Sequence, residues 1–261
     1  MIARLVGIVL ALSIAVTAFA EPVKPKVVII IDDIGYRASL DRRVLALPEQ
    51  VAISVLPFAP NARQMAERAA RQDRPVMLHM PMQAMNAASN TRALGPGALL
   101  QSADEHTVMQ QLQAAFAAVP HATGVNNHMG SLVTQQEPMM RWFMASLLCR
   151  RDAYFIDSYT TADSVALRTA HDMGLPANRR HVFLDTDPGY EAVLDSLDRL
   201  VRRAHRDGVA VAIGHPLPDT MRALEQTLPK LAAAGVELVR PRDVVHVPDR
   251  DLPPDLVSAS W

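Results

Sequence analysis

Ionisable residues are the first feature of this 261-residue chain, because they follow short apolar runs at intervals spread over some 180 positions. The run Val27–Ile31 leads directly into Asp32 and Asp33; His79 closes a second run; Asn126, Asn127 and His128 close a third; Asp157 and Ser158, Asp185 and His215 close three more. Two adjacent carboxylates after an apolar strand are not both comfortable as anions unless a cation or a shared proton joins them. One carboxylate with two histidines is a common ligand set for a catalytic divalent metal and leaves positions open for water and substrate. The second carboxylate could then accept a proton from water whose pKa the metal has lowered, and a further histidine could protonate a leaving group. Each residue also has a structural alternative. The Asp pair could cap a helix and solvate a turn, His79 and His128 could be hydrogen-bonded core residues, and His215, between Gly214 and Pro216, could shape a turn. Asp185 and Asp187 read as loop and cap residues, and His106, His121, His171, His181, His205 and His246 as surface or structural.

The elements that must position these groups follow from the pattern between them. Strand-like runs at Val27–Ile31, Val51–Leu56, Pro75–Leu78, Gly124–Asn126, Ala153–Ile156, His181–Leu184, Val209–Ile213 and Val236–Val239 alternate with helical patterns near 37–46, 61–72, 104–119, 136–150, 161–173, 189–206 and 219–234. Val108, Leu112, Phe116 and Val119 recur on one helical face. Asn61, Ser102-x-x-Glu105, Thr134-x-x-Glu137, Asp187-Pro188 and Asp219 supply start signals, and Gly208 and Gly235 stop signals. Repeated strand–helix alternation implies a parallel sheet, because parallel neighbours need crossovers. Seven or eight units suffice to close a β/α barrel, with an open doubly wound sheet as the alternative. In either architecture the carboxyl ends of the strands share one face, so these polar residues are expected to converge on one pocket. The stretch from Met80 to Gln101 shows no periodicity and is expected to be a long loop, placed to wall a substrate groove.

Composition bounds the setting. Half the residues are apolar and a fifth charged, as in an ordinary globular chain, and the formal charge of −1 gives no electrostatic reason to expect nucleic acid. Arg4, the apolar run Leu5–Ala18 and Ala18-Phe19-Ala20 have the layout of a cleavable secretory signal over residues 1–20. An uncleaved anchor is the alternative, although the run is short for a spanning helix. A periplasmic or secreted protein with no stable membrane insertion after cleavage is therefore expected, with one catalytic domain over 21–245 and an irregular tail over 246–261. The single cysteine, Cys149, excludes an internal disulfide and reads as a buried, inert thiol.

Taken together, Ile31-Asp-Asp-Ile-Gly35, Val51-Ala-Ile-Ser-Val-Leu-Pro57, Leu78-His-Met-Pro-Met82, Gly124-Val-Asn-Asn-His-Met-Gly-Ser131, Phe155-Ile-Asp-Ser158 and Ile213-Gly-His-Pro216 resemble the divergent polysaccharide deacetylase family, a branch of the NodB-like carbohydrate esterase superfamily. The resemblance implies a distorted (β/α)7-8 barrel, a zinc-like divalent ion (Zn2+) and hydrolysis of an N-acetyl or related acyl group on a cell-envelope polysaccharide or peptidoglycan-derived glycan. It places the general base on Asp32, metal ligands on Asp33 and His79, and the general acid on His215. The superfamily's second metal histidine falls on Gln83, and its arginine-containing fourth-strand motif is replaced by Asn126-Asn127-His128. His128 is accordingly expected as the third ligand, with Asn126, Asn127, Asp157 and Ser158 contacting substrate or supporting the site. The arginine that would orient the base is missing. The alternative to a hydrolase is a catalytically weak or inactive protein on this scaffold that binds glycan or assists envelope assembly.

Overall fold

The computed structural model describes residues 24–85 and 94–248; the leader, part of the long connection and the end of the tail lie outside them. Eight parallel strands form one sheet in the order β6-β5-β4-β3-β2-β1-β8-β7, where β1 is Lys26–Ile34, β2 Ala52–Val55, β3 Val76–Met82, β4 Gly124–Met129, β5 Tyr154–Asp157, β6 Ala177–Arg179, β7 Val182–Phe183 and β8 Val209–Gly214. A short β9, Glu237–Leu238, pairs with the start of β1, beneath the point where β2 joins it. Helices α1 (Ala38–Val44), α2 (Ala62–Ala70), α3 (Glu105–Ala118), α4 (Glu137–Leu148), α5 (Ala166–Asp172), α6 (Tyr190–Asp207) and α7 (Pro218–Thr227) lie between strands. Among the described residues no helix is long and apolar enough to cross a membrane.

The strand order requires the sheet to curl. Its two edges, β6 and β7, are joined by only Arg180 and His181. Three Cα steps span at most about 11 Å. The dipeptide stitches the edges together: the Arg180 amide donates to the Asp157 carbonyl of β5 and the His181 amide to the Val211 carbonyl of β8, both at 2.8 Å. The His181 ring completes the seam, its Nδ1 accepting from the Val211 amide at 2.9 Å. Burial, with Arg203 and Arg179 nearby, holds this ring down at about 4, so it is neutral and free to accept. The result is a barrel with one unpaired seam.

Strict alternation along the strands sorts side chains into two cores. Val27, Ile29 and Ile31 of β1 pack outward against the helices, whereas Val28 and Ile30 point into the barrel with Ala52, Met77, Tyr154, Ile156, Val211 and Ile213. Gly124 has to be a glycine here, because a Cβ would stand 2.3 Å from the Tyr154 ring that fills the barrel floor. Continuing the inward series by two residues from Ile30 reaches Asp32, from Ala52 Ser54, from Met77 His79, from Gly124 Asn126, and from Ile213 His215. The apolar floor thus carries a polar layer at the carboxyl end.

Several local expectations are corrected. Strand β3 continues through Met82 and pairs with β4 to Met129, so Met80–Met82 is strand rather than loop. Strand β6 carried no periodic signal, being three residues long. The cap of α3 is Asp104, whose carboxylate accepts from the Thr107 amide at 2.8 Å, and not Ser102. Thr134 caps nothing: its hydroxyl donates to the Gly130 carbonyl, and α4 starts after Gln136. Gly189 and Leu217, not Asp187 and Asp219, occupy the caps of α6 and α7. His246 is not irregular; it forms an antiparallel bridge with Ala177. Cys149 is exposed, because it falls where α4 ends and its thiol turns back toward the Ala145 carbonyl.

Candidate metal and catalytic site

Adjacent residues on a strand normally face opposite ways, which would put Asp32 and Asp33 on different sides of the sheet. A bulge prevents this. Between the pairs Ile31–Ile53 and Ile34–Val55, β1 has one residue more than β2, and Asp33 sits there at φ 59°. An aspartate in the left-handed region is costly and is a recurrent feature of sites where a side chain must be re-aimed. The turn that follows is held by the buried Asp41 carboxylate, which accepts from the Gly35 amide at 3.0 Å. Both carboxylates consequently face the same pocket.

Three side chains converge there. Asp33 Oδ1 lies 3.0 Å from His128 Nδ1 and 3.3 Å from His79 Nε2, and the two ring nitrogens are 3.1 Å apart. These atoms fall within 4.8 Å of one another, a spacing compatible with a single cation. One proton cannot satisfy three mutually facing groups, and Asp33 Oδ1 is buried without a well-formed hydrogen bond. Burial opposes ionisation of Asp33, yet His128 and His79 hold its carboxyl far below the usual carboxylate range. A carboxylate oxygen and two imidazole nitrogens fit a divalent transition-metal ion. Pairing of β3 with β4 opposes Pro81 to His128, so neighbouring strand ends bring His128 beside His79. Gln83, where the superfamily has a histidine, is turned to the loop and its Oε1 accepts from the Gln101 amide at 2.8 Å.

Asn126 organises the layer beneath. Its Nδ2 donates to both oxygens of Asp32, at 2.9 and 3.1 Å. Its Oδ1 accepts from the Ser54 hydroxyl at 2.6 Å and from His79 Nδ1 at 2.8 Å. A carboxylate only accepts, so the amide orientation is settled; an amide oxygen only accepts, so the His79 proton is on Nδ1. Nε2 is thereby the ring atom turned toward Asp33 and His128, and Asn126 is the outer partner that a metal-binding imidazole needs. Burial disfavours the charged ring, yet without a cation Asp32 and Asp33 raise its pKa. Asn126 also fixes the Asp32 carboxylate with a neutral donor. Burial pushes the Asp32 carboxyl up, against the charges of His79 and His215 and the bond from Asn126.

His215 stands opposite, with Nε2 3.8 Å from Asp33 Oδ2. Its Nδ1 donates to Asp185 Oδ1 at 3.0 Å, while Asp185 Oδ2 accepts from the His215 amide at 2.7 Å and from the Thr220 hydroxyl at 2.9 Å. Burial disfavours the charged ring, but the bond to Asp185 and the fields of Asp32, Asp185 and Asp33 raise it to about 9. The Phe183 ring stacks on His215 at 5.5 Å between centroids.

Asn127, Asp157 and Ser158 are placed differently from Asn126. Asn127 accepts from the Ser158 amide at 2.9 Å and donates to the Met129 carbonyl at 2.7 Å. Asp157 accepts from the Ser164 hydroxyl at 2.6 Å and the Tyr159 amide at 2.8 Å. They brace the loops after β4 and β5. The Ser158 carbonyl accepts from Arg180 Nε at 2.6 Å, and Arg180 Nη2 donates to the Tyr159 carbonyl at 2.7 Å. Ser54 and Arg180 were not singled out from sequence, and Asp185, although placed at a strand end, was read as a loop residue. The serine inside the otherwise apolar strand β2 and the strand-end position of Asp185 were the available signals.

Beside the triad lies a cleft of about 170 Å³ whose wall His128 shares with Tyr36, Pro57, Phe58, Pro81 and Leu94. Tyr36 is 52% and Phe58 41% exposed, high for aromatic rings next to a polar centre. Gly97 holds the Phe58 ring from behind, since a Cβ there would approach it to 2.4 Å.

Residues 29–245 match the family described as divergent polysaccharide deacetylase. The chain is 34% identical over 238 residues to the uncharacterised protein YibQ of Escherichia coli, covering 91% of this chain and 73% of that one. Its fold is similar to that of an uncharacterised Agrobacterium tumefaciens protein, with a TM-score of 0.81 at 20% identity over 87% of this chain and 92% of the other. A Bacillus anthracis protein described as a CE4 family pseudoenzyme shares the fold more loosely, with a TM-score of 0.50 at 13% identity over 83% of this chain and 64% of the other.

Proposed function

Given that the chain belongs to the divergent polysaccharide deacetylase family, we propose that it is an exported, metal-dependent hydrolase that removes N-acetyl or related acyl groups from a cell-envelope polysaccharide. One observation carries this reading: the Asp33–His79–His128 triad is flanked by a buried carboxylate on one side and an Asp185-held imidazole on the other. Such a set offers what metal-assisted hydrolysis of an amide can use, namely three ligands, a base and an acid.

Asp33, His79 and His128 would hold a divalent cation, Zn2+ by the chemistry of these donors, which would supply Lewis acidity to the acyl carbonyl and to water. The residues do the rest. Asp32, raised by burial and freed from ligand duty by its bonds to Asn126, accepts the proton of the attacking water. The new C–O bond forms at the acyl carbon, and the C–N bond breaks as His215 Nε2 passes its proton to the departing amine. Asp185 keeps that ring protonated at neutral pH and aimed into the pocket. The sugar ring is placed on Tyr36 and Phe58, whose apolar faces suit stacking by a pyranose.

The test is acetate release. Purified protein loaded with Zn2+ is expected to liberate acetate from an N-acetylated envelope glycan, to stop when a chelator removes the ion, and to recover when the ion is returned. A metal-loaded protein that binds such glycans but releases no acetate from any of them would instead be a glycan-binding member of the fold.

A further inference from the structure

Helix α6 carries Arg199, Arg202, Arg203 and Arg206 at spacings of three, one and three, which places all four guanidinium groups on one face. They line a cleft together with Phe183 and Thr186. Like charges at these spacings destabilise a helix, so a run of four needs compensation. Compensation is incomplete. Asp207 alone serves two of them, lying 3.0 Å from Arg203 Nε and 2.7 Å from Arg206 Nε. The Arg203 contact is poorly directed, and its Nε is buried without a hydrogen bond. Arg199 donates only to the Ser196 hydroxyl, a neutral partner, at 2.8 Å. Arg202 is exposed and has no ion pair among the described residues. Asp195 and Asp198 stand four residues before Arg199 and Arg202 but form no ion pair with them among the described residues, so the cleft itself is lined by four arginines and no acid.

One edge of the cleft reaches the catalytic end, while its arginines lie on the second half of α6, toward the amino end of β8. Phe183, which forms its wall, stacks on His215, and Thr186 follows the Asp185 that holds His215. We propose that this arginine cleft is an oxyanion subsite of the same glycan-binding surface, so that the substrate is an acidic glycan bearing carboxylate or phosphate groups on a sugar near the one being deacylated. The proposal rests on the glycan reading above but not on hydrolysis. Guanidinium forks bind both oxyanions bidentately.

The test measures binding by the Zn2+-loaded full chain of three hexasaccharides at low salt: a uronic-acid oligomer, a phosphorylated oligomer and neutral N-acetylglucosamine. At least one acidic oligomer is expected to bind about tenfold or more tighter than the neutral one, with the advantage shrinking as salt rises. Which of the two gains identifies the anion. The double variant R202Q/R206Q should lose the advantage, and R202K/R206K should regain part of it, with metal content and acetate release from the neutral hexamer unchanged in both. Both residues are exposed, so the fold tolerates these changes. Equal affinity for acidic and neutral oligomers, an advantage that survives R202Q/R206Q, or binding confined to vesicles of anionic phospholipid would each overturn the proposal. Acid-selective binding without acetate release from any glycan would leave the subsite standing and refute the hydrolase.

Discussion

Asp32→Asn is expected to retain the metal and to lower acetate release by roughly 10²–10⁴-fold, the usual contribution of a positioned general base. The two halves of that expectation come from different contacts. Retention follows because Asp33, His79 and His128 converge without needing Asp32, whose nearer oxygen is 3.5 Å from His79 Nε2. Loss follows because an amide cannot accept the proton from water. The replacement is nearly isosteric, and its oxygen can still accept from Asn126 Nδ2, so the buried layer of Ser54, Asn126 and His79 stays in place. Metal analysis and acetate release on one preparation check both halves. A variant that loses the ion would make Asp32 a ligand, and one with wild-type turnover would remove it from the chemistry.

Asp185→Asn is expected to cost a comparable factor of roughly 10²–10⁴, through His215 and not through the metal. The carboxylate now stabilises a protonated ring by accepting from its Nδ1. An amide in its place offers no charge and, with its nitrogen toward the ring, would favour the wrong tautomer. The pH profile separates this from a merely structural defect. His215 has to carry its proton to act as an acid, and the folded environment raises it to about 9, so wild-type activity falls on the basic side as that proton is lost. Removing the main stabiliser lowers the ring's pKa and moves this basic limb to lower pH. A variant whose turnover drops with its basic limb unmoved would contradict the role assigned to the Asp185–His215 pair.

The architecture was legible because its signals are long-range in the chain and simple in kind. Six of the eight apolar runs ended in polar residues, and parallel β/α topology puts such ends on one face. What escaped notice was local. The three residues of β6 are too few to show a period, and the Arg180–His181 seam between sheet edges is a property of closure that no strand announces by itself. Helix starts failed where a better cap lay close by, as Asp104 does beside Ser102.

The site was read in outline. Asp32, Asp33, His79, His128 and His215 are drawn together, and His128 stands beside His79 where the position of Gln83 is turned away. The bulge at Asp33 is not visible in the sequence, although it is the reason two adjacent acids can serve one pocket. Nor is the difference between Asn126 and Asn127, which a single step along the strand sends to opposite faces: one joins base to ligand, the other ties down the loop after β5. Asp185 looked like a loop acid because its partner lies 30 positions away.

The central claim is that one ion is held by Asp33, His79 and His128, and the most direct measurement is the metal content of purified protein by elemental analysis. The wild type is predicted to carry close to one divalent ion per chain. His79→Ala and His128→Ala should each lose affinity by more than the ~100-fold that removal of an outer partner alone causes, and so lose the ion on dialysis. Full metal content in both variants would contradict the site.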